Sequence, residues 1–257
     1  MKNEILRRLR QESANVLPDR LPNFYTVLNA QLAFARETFF SHPLIIRCRE
    51  DVVPFLHDDF GHGVDHAKKV AIEACTLVLA EAEPLGMATA RRLGLLAMLA
   101  GLIHDTCRLE GDHAIRGGEL ALLLLHDYPL QDAEKDSIAK AIACHEAFSQ
   151  HKIFDDPHTQ LVSDALYDAD KFRWGPDNFL TTLWEICNYQ EWTLNEILAK
   201  FPQGLEMIAS VQDTFRTSTG RIYGPEFIEL GLTMGKKMYQ IIQTFCQQHG
   251  GSSLDLP

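Results

Sequence analysis

Apolar residues recur at three- and four-residue steps along most of this chain, through roughly 23–40, 64–82, 87–104, 113–127, 132–148, 158–170, 177–188, 203–214 and 225–248. That step is the period of an α-helix with one face turned to a core. Clusters of turn formers separate the stretches: Ser41-His42-Pro43, Asp58 to Gly63, Glu83-Pro84-Leu85-Gly86, Tyr128-Pro129, Asp155-Asp156-Pro157, Gly175-Pro176 and Gly220 to Pro225. No run alternates with period two for long enough to build a sheet, and no internal repeat is visible. The pattern predicts an all-α protein with short loops. It divides into an N-terminal helical extension (1–50), a central helical bundle (51–180) and C-terminal helices (181–257) packed on the same domain.

One place in this pattern conflicts with simple burial. The apolar run Leu95 to Ile103 ends abruptly in His104-Asp105, and His113 follows closely. Such groups are tolerated inside a protein only when paired, hydrogen-bonded or bound to a metal. Adjacent residues on a helix point about 100° apart, so His104 and Asp105 can share one cation only where the helix ends and the backbone turns. Further candidates sit at comparable places. His66 lies in the first turn of the helix expected from Val64, and His113 begins the segment HAIRGGELALLLL. His145 falls on the helix expected over 132–148, and Asp168 and Asp170 fall at the end of another, in LYDADKFRWG. Singly, each histidine reads as a surface or structural group. Together, imidazoles and carboxylates from several packed helices are the usual way an all-α protein builds a metal site in its core.

The ordered set His66, His104-Asp105, His113, His145 and Asp170 resembles the HD superfamily of metal-dependent phosphohydrolases over roughly residues 57 to 180. The two additional histidines, and HDTCRLEGDHAIRGGELA with its GxxLA ending, are similar to the two-metal branch of that superfamily. Two other His-Asp dipeptides, His57-Asp58 and His126-Asp127, fall outside the ordered set. The resemblance implies an HD-domain helical bundle in which His66, His104, Asp105 and Asp170 hold one divalent cation. Asp105 would bridge to a second cation on His113 and His145. Asp170 takes the ligand position by its place in the family motif, with Asp168 as the competing aspartate or an outer support. Iron or manganese suits mixed imidazole and carboxylate ligation, with zinc, nickel, cobalt and magnesium as further options. The implied chemistry is hydrolysis of a phosphate monoester or diester by a metal-activated hydroxide.

Lys171, Arg108, Arg116, Arg173 and His62 are the candidates for binding the substrate, a nucleotide or other small phosphorylated metabolite. The chain also departs from the family. Thr106-Cys107-Arg108 stands where a glycine and a lysine often follow His-Asp, and no Gly-Tyr-Pro follows His145, which argues against cyclic-di-GMP. Two other readings of the same residues are a di-iron oxygenase of the inositol-oxygenase type and a non-catalytic module that senses a nucleotide or a metal.

Composition narrows the partners. The 257 residues carry a net charge of −11, which argues against a general nucleic-acid or anionic-membrane binder. Bound cations would still admit a small phosphorylated substrate by inverting the local field. Six scattered cysteines without a C-x-x-C pair fit reduced thiols, with Cys107 and Cys144 beside the histidine motifs. No apolar run approaches the ~18 residues of a membrane span, and the N-terminus lacks the apolar core of a signal peptide. The expected setting is cytoplasmic, as a monomer or homodimer.

Overall fold

The computed structural model describes residues 2–56 and 63–249, and among these it is all-α with no strand. Twelve α-helices follow one another among the described residues. They are α1 (Lys2–Asn15), α2 (Asn23–Val27), α3 (Asn29–Ser41), α4 (Pro43–Val52), α5 (Val64–Glu81) and α6 (Met87–Ile103). Then come α7 (His113–Leu124), α8 (Asp132–Ala143), α9 (Pro157–Phe172), α10 (Leu183–Tyr189), α11 (Leu194–Ser210) and α12 (Ser218–His249).

Helices α5 to α9 form the centre, with α5 against α6 and α9, and α8 against α6, α7 and α9. Helix α6 is buried on every side from Leu93 to Ile103, which is why its sequence reads as an unbroken apolar run. The N-terminal and C-terminal helices meet each other, with α1 packed on α10 and α12. One buried apolar cluster runs from Leu9 through α5 and α6 to Ile242.

Helix ends follow local chemistry. The α8 N-terminus carries a reciprocal capping box between Gln131 and Glu134, and Thr193 with Glu196 does the same for α11. Asp156 caps α9 by accepting from the backbone N–H groups of His158 and Thr159. Ser41-His42-Pro43 separates α3 from α4 by one residue, with His42 capping α4 and Pro43 in its first turn. Two sequence expectations are corrected. The Gly220 to Pro225 cluster does not interrupt α12, which carries Pro225 within its early turns. The helix expected over 132–148 stops at Ala143, so His145 lies just beyond it.

Close approach of α5 and α6 sets the scaffold of the site. A Cβ built on Gly101 would lie 2.6 Å from the Ala71 Cα and 2.8 Å from its backbone N. Gly101→Ala must therefore separate the helix carrying His66 from the one ending in His104. A loss of about 1–3 kcal/mol is expected for such overpacking, read as a lower urea midpoint with an unchanged slope. An unchanged midpoint would show that the pair can yield without cost.

Candidate metal centre

Helix α6 ends at Ile103, His104 caps it, and residues 104–112 leave in successive turns: the N–H groups of Thr106, Arg108 and Glu110 donate to the carbonyls of Ile103, Asp105 and Cys107. The turn lets neighbouring side chains converge, as the helix-end argument required. His66 comes from the first turn of α5, His113 from the first residue of α7, Asp170 from the last turn of α9, and His145 from the segment after α8. All six side chains are buried.

His66, His104 and Asp105 form one group with ligand atoms within 4.8 Å of one another, and Asp170 approaches its two histidines. The His66 Nε2 lies 3.2 Å from His104 Nε2, 3.4 Å from Asp105 Oδ2 and 3.3 Å from Asp170 Oδ1. The His104 Nε2 lies 3.2 Å from Asp105 Oδ2 and 3.9 Å from Asp170 Oδ1. Ligands held ~2.1 Å from a common ion are separated by about 3.0 Å at right angles and about 3.4 Å at tetrahedral angles. The spacings among His66, His104 and Asp105, and that of Asp170 to His66, match such a shell. A second group, Asp105 with His113 and His145, has ligand atoms within 4.8 Å of one another. There the Asp105 Oδ1 lies 3.6 Å from His145 Nε2. Asp105 thus turns one oxygen to each group, and buried His/Asp groups that could hold a metal ion are present on both sides of it.

Hydrogen bonds orient the imidazoles. Nδ1 of His104 donates to the Gly101 carbonyl at 2.8 Å, and Nδ1 of His145 donates to the Ile142 carbonyl at 2.6 Å. Carbonyls in the last turn of a helix lack intrahelical partners, so α6 and α8 supply fixed acceptors. With Nδ1 as the donor, each Nε2 lone pair faces the carboxylates, the tautomer a metal ligand needs. For His113 the outer partner is Glu146, whose Oε1 lies 3.1 Å from Nδ1. On its other side, Arg108 donates from Nη1 to His113 Nε2 at 2.9 Å. Burial and then the Arg108 guanidinium push the His113 imidazole down to about 4. Burial would lower His104 as well, but Asp105 and Asp170 outweigh it and hold the imidazole above its ordinary value. Burial works against the Asp170 carboxylate, yet Lys171 and the two histidines hold it well below the usual range. Lone pairs and carboxylates packed this closely call for shared positive charge, and a divalent cation fits the donor set.

The other candidates separate sharply. Asp168 faces away: its carboxylate accepts from the N–H groups of Arg216 and Thr217 and from the Thr217 hydroxyl, all within 2.8 Å. It holds the turn before α12 and touches none of the six ligand candidates through these bonds, although burial pushes its carboxyl up to about 7. The geometry therefore selects Asp170 over Asp168 as the aspartate of the cluster. Lys171 is buried, its ammonium donating to the His145 carbonyl at 3.0 Å and to Asp170 Oδ2. It pins Asp170 so that Oδ1 faces His66. Arg173 donates to Glu73 at 2.6 Å and to Tyr25 at 3.2 Å, and pairs with Asp177, so it is tied into a buried network. Arg116 is exposed and lies near Glu110 and Glu119 on the surface; it does not line the cavity described next. His62 and the His57-Asp58 dipeptide lie outside the described residues. Cys107 and Cys144 are free thiols whose pKa burial raises, the opposite of an activated thiolate.

A cavity of about 670 Å³ opens on the cluster, reached by His66, Arg108, His113, His145 and Asp170. Glu146, Ala147, Lys171 and Arg173 border the same end, and the farther wall comes from Trp174 and from residues between 178 and 208, which carry no motif. Aromatic and aliphatic residues in α10 and α11 look like ordinary core in the sequence, and no local signal marks them as a pocket. No helix among the described residues is long and apolar enough to cross a membrane. No protein-family model, curated protein or solved structure matches the chain.

Proposed function

We propose that the protein is a metal-dependent phosphohydrolase with two divalent cations, iron or manganese, bridged by Asp105. The observation that supports this most is Asp105 itself: one carboxylate turned to two histidine groups, of which His66, His113 and His145 line a cavity that also bears Arg108. His66, His104 and Asp170 would complete one coordination set, and His113 and His145 the other. Bound there, divalent cations lower the pKa of water and neutralise charge on a phosphoryl group.

The chain's own residues do the rest. The Gly101 and Ile142 carbonyls fix two imidazole orientations, and Glu146 fixes a third. Lys171 holds Asp170 in place. Arg108 is the cavity cation able to turn from His113 toward a substrate phosphate, and its permanently charged guanidinium suits binding rather than proton donation. In the net reaction water oxygen bonds to phosphorus, the P–O bond to the leaving group breaks, and the departing alcohol takes up a proton.

Elemental analysis after loading with Mn²⁺ or Fe²⁺, followed by a panel of phosphomonoesters and phosphodiesters, tests this reading. Close to two metals per chain and metal-dependent release of phosphate or a phosphomonoester are expected. Because Arg108 already donates to His113 Nε2, the second equivalent should bind more weakly, and Arg108→Ala should narrow the gap. Lys171→Ala should lower both metal affinity and turnover, since it frees Asp170. A loss of one charge-assisted hydrogen bond corresponds to about 10- to 100-fold in kcat/KM. Oxygen consumption without any phosphoester hydrolysis would replace this reading by the di-iron oxygenase one.

A further inference from the structure

The cavity beside the metal centre is chemically two-sided. Charged groups concentrate at the cluster: Asp170, Arg108, Lys171, Arg173 and Glu146. Beyond Trp174 the wall is built from Phe179, Leu183, Ile186, Phe201 and Ile208, with no carboxylate among its lining residues. Phe179, Phe201 and Ile208 are buried residues of this wall, and Leu183 and Ile186 are half-buried. The charged residue lining this farther part is Lys200, which is exposed and whose ammonium lies 5.1 Å from the Trp192 ring centroid. A nucleoside would bring ribose hydroxyls and a base edge that lose water on entry and need partners in return. Asn178, Thr182, Gln203 and the indole N–H of Trp192 are the uncharged polar side-chain groups this stretch offers.

A site of about 670 Å³ is also far larger than an inorganic phosphate requires and falls in the range that encloses a ligand of drug size. The wall comes from the π-helical turn Asn178–Thr182, α10 and α11. These elements lie after the cluster in the chain and supply none of its six candidate ligands. Their contribution to the cavity is apolar area continuous with the charged end.

We infer that the substrate is amphiphilic: a phosphoester whose alcohol half is a hydrocarbon chain, with the phosphate at the His/Asp cluster and the chain along Phe179, Leu183, Ile186 and Phe201. This rests on the hydrolase reading for the chemistry at the head, whereas the tail site stands on the cavity wall. Specificity then resides in α10 and α11, and chain length is the variable that this part of the protein measures.

The experiment is a series of straight-chain alkylphosphonates from ethyl to decyl, which cannot be hydrolysed at phosphorus, titrated into the full chain loaded with Mn²⁺. The matching alkyl phosphates are assayed in parallel for phosphate release, with AMP as the nucleotide comparison. Affinity should rise about threefold to fourfold per methylene, the factor expected for burying one CH₂, until the cavity is full. Ile186→Trp should keep metal content and ethylphosphonate affinity but lose the gain with length. If that variant does not fold, Leu183→Phe and the wild-type series carry the test. A flat dependence on chain length, or AMP bound more tightly than decylphosphonate, overturns the inference while leaving the hydrolase reading intact. A clear gain with length, with neither phosphate nor a phosphomonoester released from these esters or from the phosphodiester panel, supports the tail site and instead overturns the hydrolase reading.

Discussion

Asp105→Ala is expected to empty both metal positions at once. Its two oxygens face different histidine groups, Oδ2 toward His66 and His104 and Oδ1 toward His145. No other side chain in the cluster has this placement, so losing it should reduce metal content on both sides and abolish hydrolysis. The loss in affinity should exceed the ~10- to 100-fold typical of removing an outer partner of a ligand. His113→Ala should by contrast lower occupancy mainly of one position. Asp170→Asn should weaken the His66 side, because it removes a charge that compensates a divalent ion. Asp168→Asn provides the contrast: its partners are the backbone and hydroxyl groups of Arg216 and Thr217, so stability should fall while metal content remains. Metal analysis of the four purified variants separates these cases. Full metal content and normal turnover in Asp105→Ala would end the bridging assignment.

Arg173→Ala is expected to cost more stability than any other single change among the candidate phosphate-binding residues. The guanidinium is the compensating charge for Glu73, which is buried on α5, and both contact the Tyr25 hydroxyl. Burial pushes the Glu73 carboxyl up despite Arg173 and the Tyr25 hydrogen bond. Removing the cation leaves that carboxyl without its main counter-charge, and breaking such a buried pair costs about 3–5 kcal/mol. Removing both charges should cost much less, so Glu73→Gln with Arg173→Met should recover most of the loss. A double-mutant cycle by urea unfolding measures the coupling. Additive losses in the double variant would show that the pair is not coupled. The comparison also bears on function, because a side chain bound to Glu73, Tyr25 and Asp177 is poorly placed to clamp a phosphate as well.

The sequence by itself was enough for the helical class and for most element positions. Long amphipathic stretches reveal their period locally, and α5, α6 and α7 begin where the pattern placed them, at Val64, Met87 and His113. It was also enough for the argument that His104-Asp105 must end a helix, since neighbouring side chains cannot converge inside one. Boundaries governed by longer-range packing were less legible. Residues 144 to 148 keep an apolar pattern, yet α8 stops at Ala143 and His145 turns its Nδ1 back to the Ile142 carbonyl. Pro225 looks like a break, but α12 accommodates it in its early turns.

Only the tertiary structure decided between chemically identical candidates. Asp168 and Asp170 are two residues apart on α9, so they project from different sides of it: Asp170 meets His66 while Asp168 meets the turn before α12. Arg108, Arg116 and Arg173 carry the same guanidinium, and their sequence positions do not reveal that one faces the cluster, one solvent and one Glu73. The apolar cavity wall was hidden for the same reason. A residue that lines a cavity and one that fills a core obey the same helical period, and only the placement of α10 against α1 and of α11 against α12 distinguishes them.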